Sequence, residues 1–192
     1  MSSQGWVECV ASAQVAGPSL ASFTTAISCL PSPARHTIPA DDWALGKRIR
    51  VYASGQISNV VTTSPTFTFQ FMLGPTSNII AFTTGAIVTS TTAHTTVPWE
   101  LVINLTCRSL GSGTSGTLIG QSNVISRAFI DVSGADVTTT GHPILMAPET
   151  TPAVGTGFDT NISNVADLFV ACQTSAAGNA IQLQQYSLEI MN

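Results

Sequence analysis

The segment Trp99-Glu-Leu-Val-Ile-Asn-Leu-Thr-Cys107 carries the clearest structural signal in this chain of 192 residues. Every second residue is apolar, whereas the residues between them are mostly polar or charged. Successive side chains of a β-strand point to opposite faces of a sheet, so a period of two predicts a strand with one buried face. We therefore predict a long strand here, with Trp99 and Cys107 on its buried face.

The same alternation recurs along the chain, and glycine or proline residues separate the repeats. No segment of twelve or more residues carries a convincing helical stripe, and residues 40–45 could form at most one helical turn. In the last apolar segment the alternation changes phase across Gln184 and Gln185, which predicts a β-bulge. Further strands are predicted at residues 48–53, 66–73, 117–122, 124–130, 165–172 and 181–190.

The composition limits the classes of function. Charged residues make up 8% of the chain, with 10 acidic and 6 basic residues, against roughly 25% in an ordinary soluble domain. Threonine supplies 26 residues and serine 21, so hydroxyl groups replace charges as the main polar groups. So few basic residues argue against nucleic acid as a partner. The absence of a long apolar run and of a basic N-terminal region predicts no membrane span and no signal peptide, and hence a protein that is made and kept in a cytoplasm-like compartment.

Seven or eight strands joined by short turns predict an all-β protein, a single jelly roll or β-sandwich. Residues 1–35 differ from the rest because a stretch of small residues precedes a possible strand and a Pro-x-Pro stop. We predict an N-terminal arm and first strand over residues 1–35 and the jelly-roll sandwich over residues 36–192. Trp6 and Val7 lie in the predicted arm and are candidates for contact with a neighbouring subunit or another partner.

The sequence predicts no catalytic residue, no cofactor and no metal site, and therefore a non-enzymatic protein. The glycine-rich segment at residues 111–116 matches G-x-G-x-x-G, but a strand-like segment follows it, whereas nucleotide binding requires a helix there. The histidines fall in predicted loops without neighbouring carboxylates, and the cysteines are too widely spaced to suggest a zinc site. We interpret the cysteines as small buried apolar residues. The histidines are His36, His94 and His142, and the cysteines are Cys9, Cys29, Cys107 and Cys172.

Two short segments are candidates for binding a partner. Lys47, Arg48, Arg50 and Tyr52 could form a basic and aromatic patch. This patch is either the solvent side of one strand or a contact with an acidic protein surface, because arginine and tyrosine are enriched at interfaces. The other candidate is Trp43 with Asp41 and Asp42, whose residue types suit glycan binding.

Four segments together resemble a family of structural proteins encoded by tailed bacteriophages and prophages. The resemblance covers most of the chain and consists of strand edges and turns without catalytic content. The segments are Ile38-Pro-Ala-Asp-Asp-Trp-Ala-Leu-Gly-Lys-Arg-Ile-Arg-Val-Tyr-Ala-Ser-Gly-Gln-Ile-Ser-Asn-Val-Val61, Val97-Pro-Trp-Glu-Leu101 together with Leu105-Thr-Cys-Arg108, Ala153-Val-Gly-Thr-Gly-Phe-Asp159 and Asn179-Ala-Ile-Gln-Leu-Gln-Gln-Tyr186.

The resemblance implies a jelly-roll virion component, a trimeric head decoration (cement) protein on the outer capsid surface. Its partners would be further copies of itself and the major capsid protein. Two alternatives stay open at this point. One is a tail or head fibre module that binds a host glycan, since jelly rolls also serve as lectins. The other, ranked low, is a hydrolase built on a sandwich.

Overall fold

The computed structural model describes residues 6–60, 65–132, 144–148 and 153–191. Over these residues the chain forms β-strands and two short 3₁₀ helices, at Ser32–Ala34 and Ala40–Asp42, and no α-helix. The strands belong to two antiparallel sheets that pack against each other, which confirms the predicted all-β sandwich. The jelly-roll connectivity stays a prediction. Among these residues, none forms a helix with the length and hydropathy needed to cross a bilayer.

The large sheet contains the longest strands. Its order is β1 (Val7–Ser12), β15 (Ala180–Met191), β5 (Arg48–Asn59), β9 (His94–Ser109), β10 (Thr117–Ile125) and β12 (Leu145–Ala147), with β2 (Leu20–Ala21) also on β15 and β13 (Ala153–Val154) also on β10. The central strands β15, β5 and β9 are almost fully paired along their length, so their backbone polar groups are hydrogen-bonded within the sheet.

The small sheet covers the inner face of the large one. Its order is β11 (Phe129–Val132), β8 (Ile87–Thr89), β6 (Thr66–Leu73), β14 (Asn164–Cys172) and β3 (Ile27–Ser28), with β4 (His36–Ile38) also on β14 and β7 (Ile79–Thr83) also on β6.

The core lies between the two sheets, where the apolar faces predicted from the sequence meet. Trp99 and Cys107 are buried, as are the residues at every second position between them, so the predicted buried face of β9 is confirmed. The alternating phenylalanines of β6 are buried as well. The rings of Phe69 and Trp99 lie 5.1 Å apart between their centroids, which joins the two sheets at the centre of the molecule.

The β-bulge predicted in the last strand is confirmed. The pairing of β15 with β5 shifts register between Leu183 and Gln185. Beside it, Gly55 lies so close to β15 that a side chain there would collide with the main-chain carbonyl oxygen of Gln182. Glycine at this position therefore permits the close approach of the two strands at the bulge.

The region predicted as an N-terminal arm packs on its own chain from Val7 onward. Residues 7–12 form β1, which pairs with β15 at the edge of the large sheet. Phe23, Cys29 and Leu30 are buried in the same core as residues of the later strands. Residues on both sides of the predicted boundary at residue 35 therefore share one core.

A buried carboxylate ties this N-terminal region to the small sheet. Asp167 on β14 is 1% exposed, and its carboxylate accepts a hydrogen bond from the Ser28 hydroxyl at 2.7 Å. Its other oxygen lies 2.8 Å from Nε of Arg35. Desolvation raises the pKa of Asp167, and the Ser28 hydrogen bond and the Arg35 charge oppose that rise. The region around residues 28–35 is thus held by a carboxylate whose charged form is disfavoured by burial.

Candidate functional site

The outer face of the large sheet contains three of the residues predicted to contact a partner. Arg48, Arg50 and Tyr52 alternate along β5 with buried residues, so their side chains point away from the core. This part of the predicted basic and aromatic patch therefore lies on one sheet face. We call this surface the outer face.

Strand register shows which residues are neighbours on the outer face. Residues directly opposite each other on paired strands point to the same side of a sheet. One row across the strands therefore joins Val7 to Arg48, and a second row lies about 20 Å farther along β5. The first row is Val7, Met191, Arg48, Thr106 and Ile119, and the second is Gln185, Ser54, Glu100 and Ile125.

The first row and its neighbours form the arginine end of the outer face, which we define as Val7, Arg48, Arg50, Glu189 and Met191. Val7 is largely exposed, and Trp6, which precedes it, is 48% exposed. The structure therefore brings Val7, Arg48 and Arg50 to the same end of one face.

The charges on the outer face are few. Over the central strands β15, β5 and β9, the charged residues are three arginines, Arg48, Arg50 and Arg108, and two glutamates, Glu100 and Glu189. Nη1 of Arg50 lies 3.8 Å from Oε2 of Glu189, and its Nε donates to Oδ1 of Asn104 at 3.3 Å. The Tyr52 hydroxyl donates to Oε2 of Glu100 at 3.4 Å. Such exposed contacts contribute little to stability, so they leave the surface free to exchange water for a partner.

Lys47 does not belong to this surface, so its prediction as a solvent-side residue is wrong. It is 5% exposed, and its Nζ lies 2.6 Å from Oδ1 of Asp42. Nζ also donates to the main-chain carbonyl oxygen of Asp42. Lys47 precedes β5 rather than lying within it, so the alternation of the strand does not set its direction.

The predicted glycan-binding residue Trp43 is also placed differently. It is 7% exposed, and its ring packs on Phe158 with 4.8 Å between the ring centroids. Asp42 is engaged by Lys47, and the side chain of Asp41 lies outside the described part of the chain. Trp43 is therefore a core residue, and the glycan-binding interpretation of this segment is wrong.

The histidines and cysteines have no common site in the described residues. His36 lies in β4 and His94 in β9, rather than in loops as predicted, and His142 is outside the described residues. No cluster of three or more histidine, cysteine, aspartate or glutamate side chains suited to a metal occurs in residues 6–60, 65–132, 144–148 and 153–191.

The cysteines are free thiols, and three of the four, Cys29, Cys107 and Cys172, are buried as predicted. Cys9 is exposed, which corrects the prediction for that residue. Burial raises the pKa of the thiol of Cys29, and likewise those of Cys107 and Cys172. The buried thiols are therefore protonated and poor nucleophiles.

Sequence reasoning missed a groove at the opposite end of the outer face from Arg48. Its volume is about 570 Å³, and its walls come from β5, β9, β15 and the turn after β10. The sequence feature that pointed to this groove was the change in the apolar and polar alternation at Gln184 and Gln185. The bulge there places both side chains on the exposed surface beside Gly55. Residues that line the groove include Tyr52, Ser54, Gln56, Glu100, Arg127, Gln184 and Gln185.

The outer face thus combines a sparsely charged surface with a groove at one end. No protein-family model matches the chain, and no curated protein matches it in sequence.

Proposed function

We propose that this protein is a non-enzymatic structural component of a tailed-phage virion, a capsid decoration protein that forms homotrimers on the outer head surface and braces the major capsid protein. The observation that carries the proposal is the outer face of the large sheet. Five residues of its central strands carry a formal charge, three arginines and two glutamates, and most of the remaining outward surface of those strands is hydroxyl, amide and apolar.

A surface of this kind suits permanent contact with other proteins. Burial of an unpaired charge is unfavourable, whereas neutral hydroxyl and amide groups can form hydrogen bonds across an interface. Arg50 and Glu189 already lie close to each other, so burial would not leave either charge isolated. Exposed apolar side chains at the arginine end, Val7 and Trp6, add area that gains free energy when it is covered.

The sequence resemblance supports the phage setting of the proposal. The longest matching segment, residues 38–61, includes nearly all of β5 and therefore Arg48, Arg50 and Tyr52. Under the proposal, the arginine end of the outer face meets a neighbouring subunit or the capsid shell. The decoration protein would be made in the host cytoplasm and then attach to the head.

Charge reversal at the arginine end tests the contact. We expect Arg48→Glu with Arg50→Glu to weaken binding to undecorated capsids by about tenfold or more, because like charges then face Glu189 and the acidic partner surface that the arginines suit. Cosedimentation with capsids measures binding, and light scattering measures the trimer. Arg127→Glu is the control, because it also replaces an arginine by a glutamate but lies outside the arginine end. Equal binding by wild type and the double variant would contradict the proposal.

The N-terminal contact needs a milder test than deletion. Removal of residues 2–18 would also remove β1 and uncover the edge of β15, so a loss of binding would have two explanations. Trp6→Ala with Val7→Ala keeps the main-chain pairing of β1. We expect this variant to fold with an unchanged circular dichroism spectrum and to lose about tenfold or more in capsid binding or trimer stability. Unchanged values for both would show that this segment makes no contact.

A further inference from the structure

We propose that the groove of the outer face is a binding site for a neutral glycan. The predicted glycan site at Trp43 is buried, and the groove lies elsewhere, with a different set of side chains. Its volume of about 570 Å³ falls within the usual range of roughly 300–1,000 Å³ for small-ligand sites.

The hydrogen-bonding groups of the groove suit sugar hydroxyls. A hydroxyl group both donates and accepts, and a primary amide offers donors and acceptors side by side. Gln56, Gln184 and Gln185 present three such amides, all on exposed residues. Within the described residues, the Gln185 amide accepts from Ser54 at 3.4 Å and the Gln184 amide donates to Gln182 at 3.2 Å. These contacts leave the amide nitrogen of Gln185 and the amide oxygen of Gln184 available to a ligand.

The charges of the groove favour a neutral ligand over an anionic one. Glu100 and Arg127 carry opposite charges, so the net charge of the lining residues is zero. Each can bind hydroxyl pairs, the carboxylate as an acceptor and the guanidinium as a donor. An anionic sugar would meet the Glu100 carboxylate as well as Arg127, and its attraction to one would be offset by repulsion from the other.

The groove also has an apolar part. Tyr52 lines one side, while Pro98 and the half-exposed Ile125 contribute apolar surface. The C–H faces of a pyranose ring need such a surface, and a tyrosine ring offers it beside a polar hydroxyl. Gly55 also lines the groove, where it lies against the main chain of β15.

The groove and the arginine end lie next to each other on the outer face. Arg48 and Ser54 are about 20 Å apart along β5, whereas Arg50 of the arginine end and Tyr52 of the groove are two positions apart. The site goes beyond the proposed structural role, because a partner that covers Val7 and Arg48 without reaching Tyr52 leaves the groove open to a glycan.

Titration of the purified full chain with defined oligosaccharides tests this site without any capsid. The probes are the neutral sugars maltotriose, cellotriose, chitotriose and galactobiose, with trigalacturonate as the anionic comparison. We expect saturable binding of at least one neutral probe with a Kd of about 1 mM or tighter by calorimetry and saturation-transfer NMR. Absence of binding by all four neutral probes, or tighter binding of trigalacturonate, would overturn the proposal.

Point variants test whether the sugar binds in the groove. Gln185→Ala and Glu100→Ala should each weaken neutral-sugar binding by about five- to tenfold, since each removes hydrogen bonds to the ligand. Glu100→Gln keeps an acceptor and should retain more binding than Glu100→Ala. Asn123→Ala is the control, because Asn123 is exposed on the same face but does not line the groove. Equal affinities for wild type, Gln185→Ala and Glu100→Ala would contradict the assignment, whatever the result of the capsid experiments.

Discussion

Replacement of Trp99 by alanine is expected to lower the free energy of unfolding by about 3–5 kcal/mol. Trp99 is 2% exposed and contacts Phe69 of the opposite sheet, with 5.1 Å between the ring centroids. Its indole Nε1 also donates to the main-chain carbonyl oxygen of Gln56 at 3.2 Å. The truncation would leave a large cavity between the sheets and remove a hydrogen bond to the main-chain carbonyl oxygen of Gln56. Its effect therefore combines the loss of buried apolar surface, of packing contacts and of a hydrogen bond.

Chemical denaturation in urea measures this loss, and the chain offers a matched control. Trp6→Ala removes the same side chain from a position that is half exposed, so we expect a change within about 0.5 kcal/mol. A similar loss in the two variants would show that Trp99 does not join the sheets as described. Comparison of Trp99→Ala with Trp6→Ala also separates an effect on stability from an effect on assembly, because Trp6 is proposed to contact a partner.

The second large effect is expected at the buried carboxylate of Asp167. Removal of its partner in Arg35→Ala should lower the free energy of unfolding by about 2 kcal/mol at neutral pH. The expected loss is below that of a fully buried pair, because the Arg35 side chain is 41% exposed and water screens part of its interaction. The variant leaves a charged carboxylate that is 1% exposed with the Ser28 hydroxyl as its remaining side-chain partner among the described residues.

The effect of Arg35→Ala should depend on pH in a defined direction. Desolvation raises the pKa of Asp167 above its ordinary value of 3.8, so the folded chain holds this proton more tightly than the unfolded chain. The contribution of Asp167 to stability is therefore greatest at low pH and falls as pH rises through the raised pKa. Loss of the Arg35 charge raises that pKa further. The deficit of the variant should thus shrink as the carboxylate becomes protonated.

Urea denaturation of wild type and Arg35→Ala between pH 4 and about pH 8 measures this difference. Asp167→Asn supplies the control, since the amide carries no charge at any of these pH values. In that background, Arg35→Ala should have a small effect that does not change with pH. A deficit that grows as pH falls would contradict the assignment to Asp167.

Much of the sandwich was predictable because one physical signal dominates the sequence. Alternation of apolar and polar residues identified β5, β6 and β9 with the correct buried faces, since a two-sheet sandwich buries one face of each strand. The phase change at Gln184 and Gln185 also identified the bulge. The short strands β2, β4 and β13 were not predicted, because an alternation of apolar and polar residues cannot be recognised over two or three residues.

The candidate sites were less predictable because they depend on contacts between distant segments. Lys47 adjoins β5 and was grouped with Arg48 and Arg50, but its direction is set by its contacts with Asp42. Trp43 was taken as exposed because its neighbours are acidic, yet it packs on Phe158, more than a hundred residues away. The groove combines four segments whose proximity follows only from the pairing order of the strands.

The position of β15 has a consequence for the order of folding during synthesis. Residues 180–191 lie between β1 and β5, so the last described strand joins the first described strand to the middle of the sheet. The ribosome must release this segment before β1 can pair at all, whereas β5 and β9 can pair earlier. Contacts between strands so far apart in sequence slow folding. We therefore expect nascent chains that end before residue 180 to leave both β1 and one edge of β5 open to chaperones or to other chains.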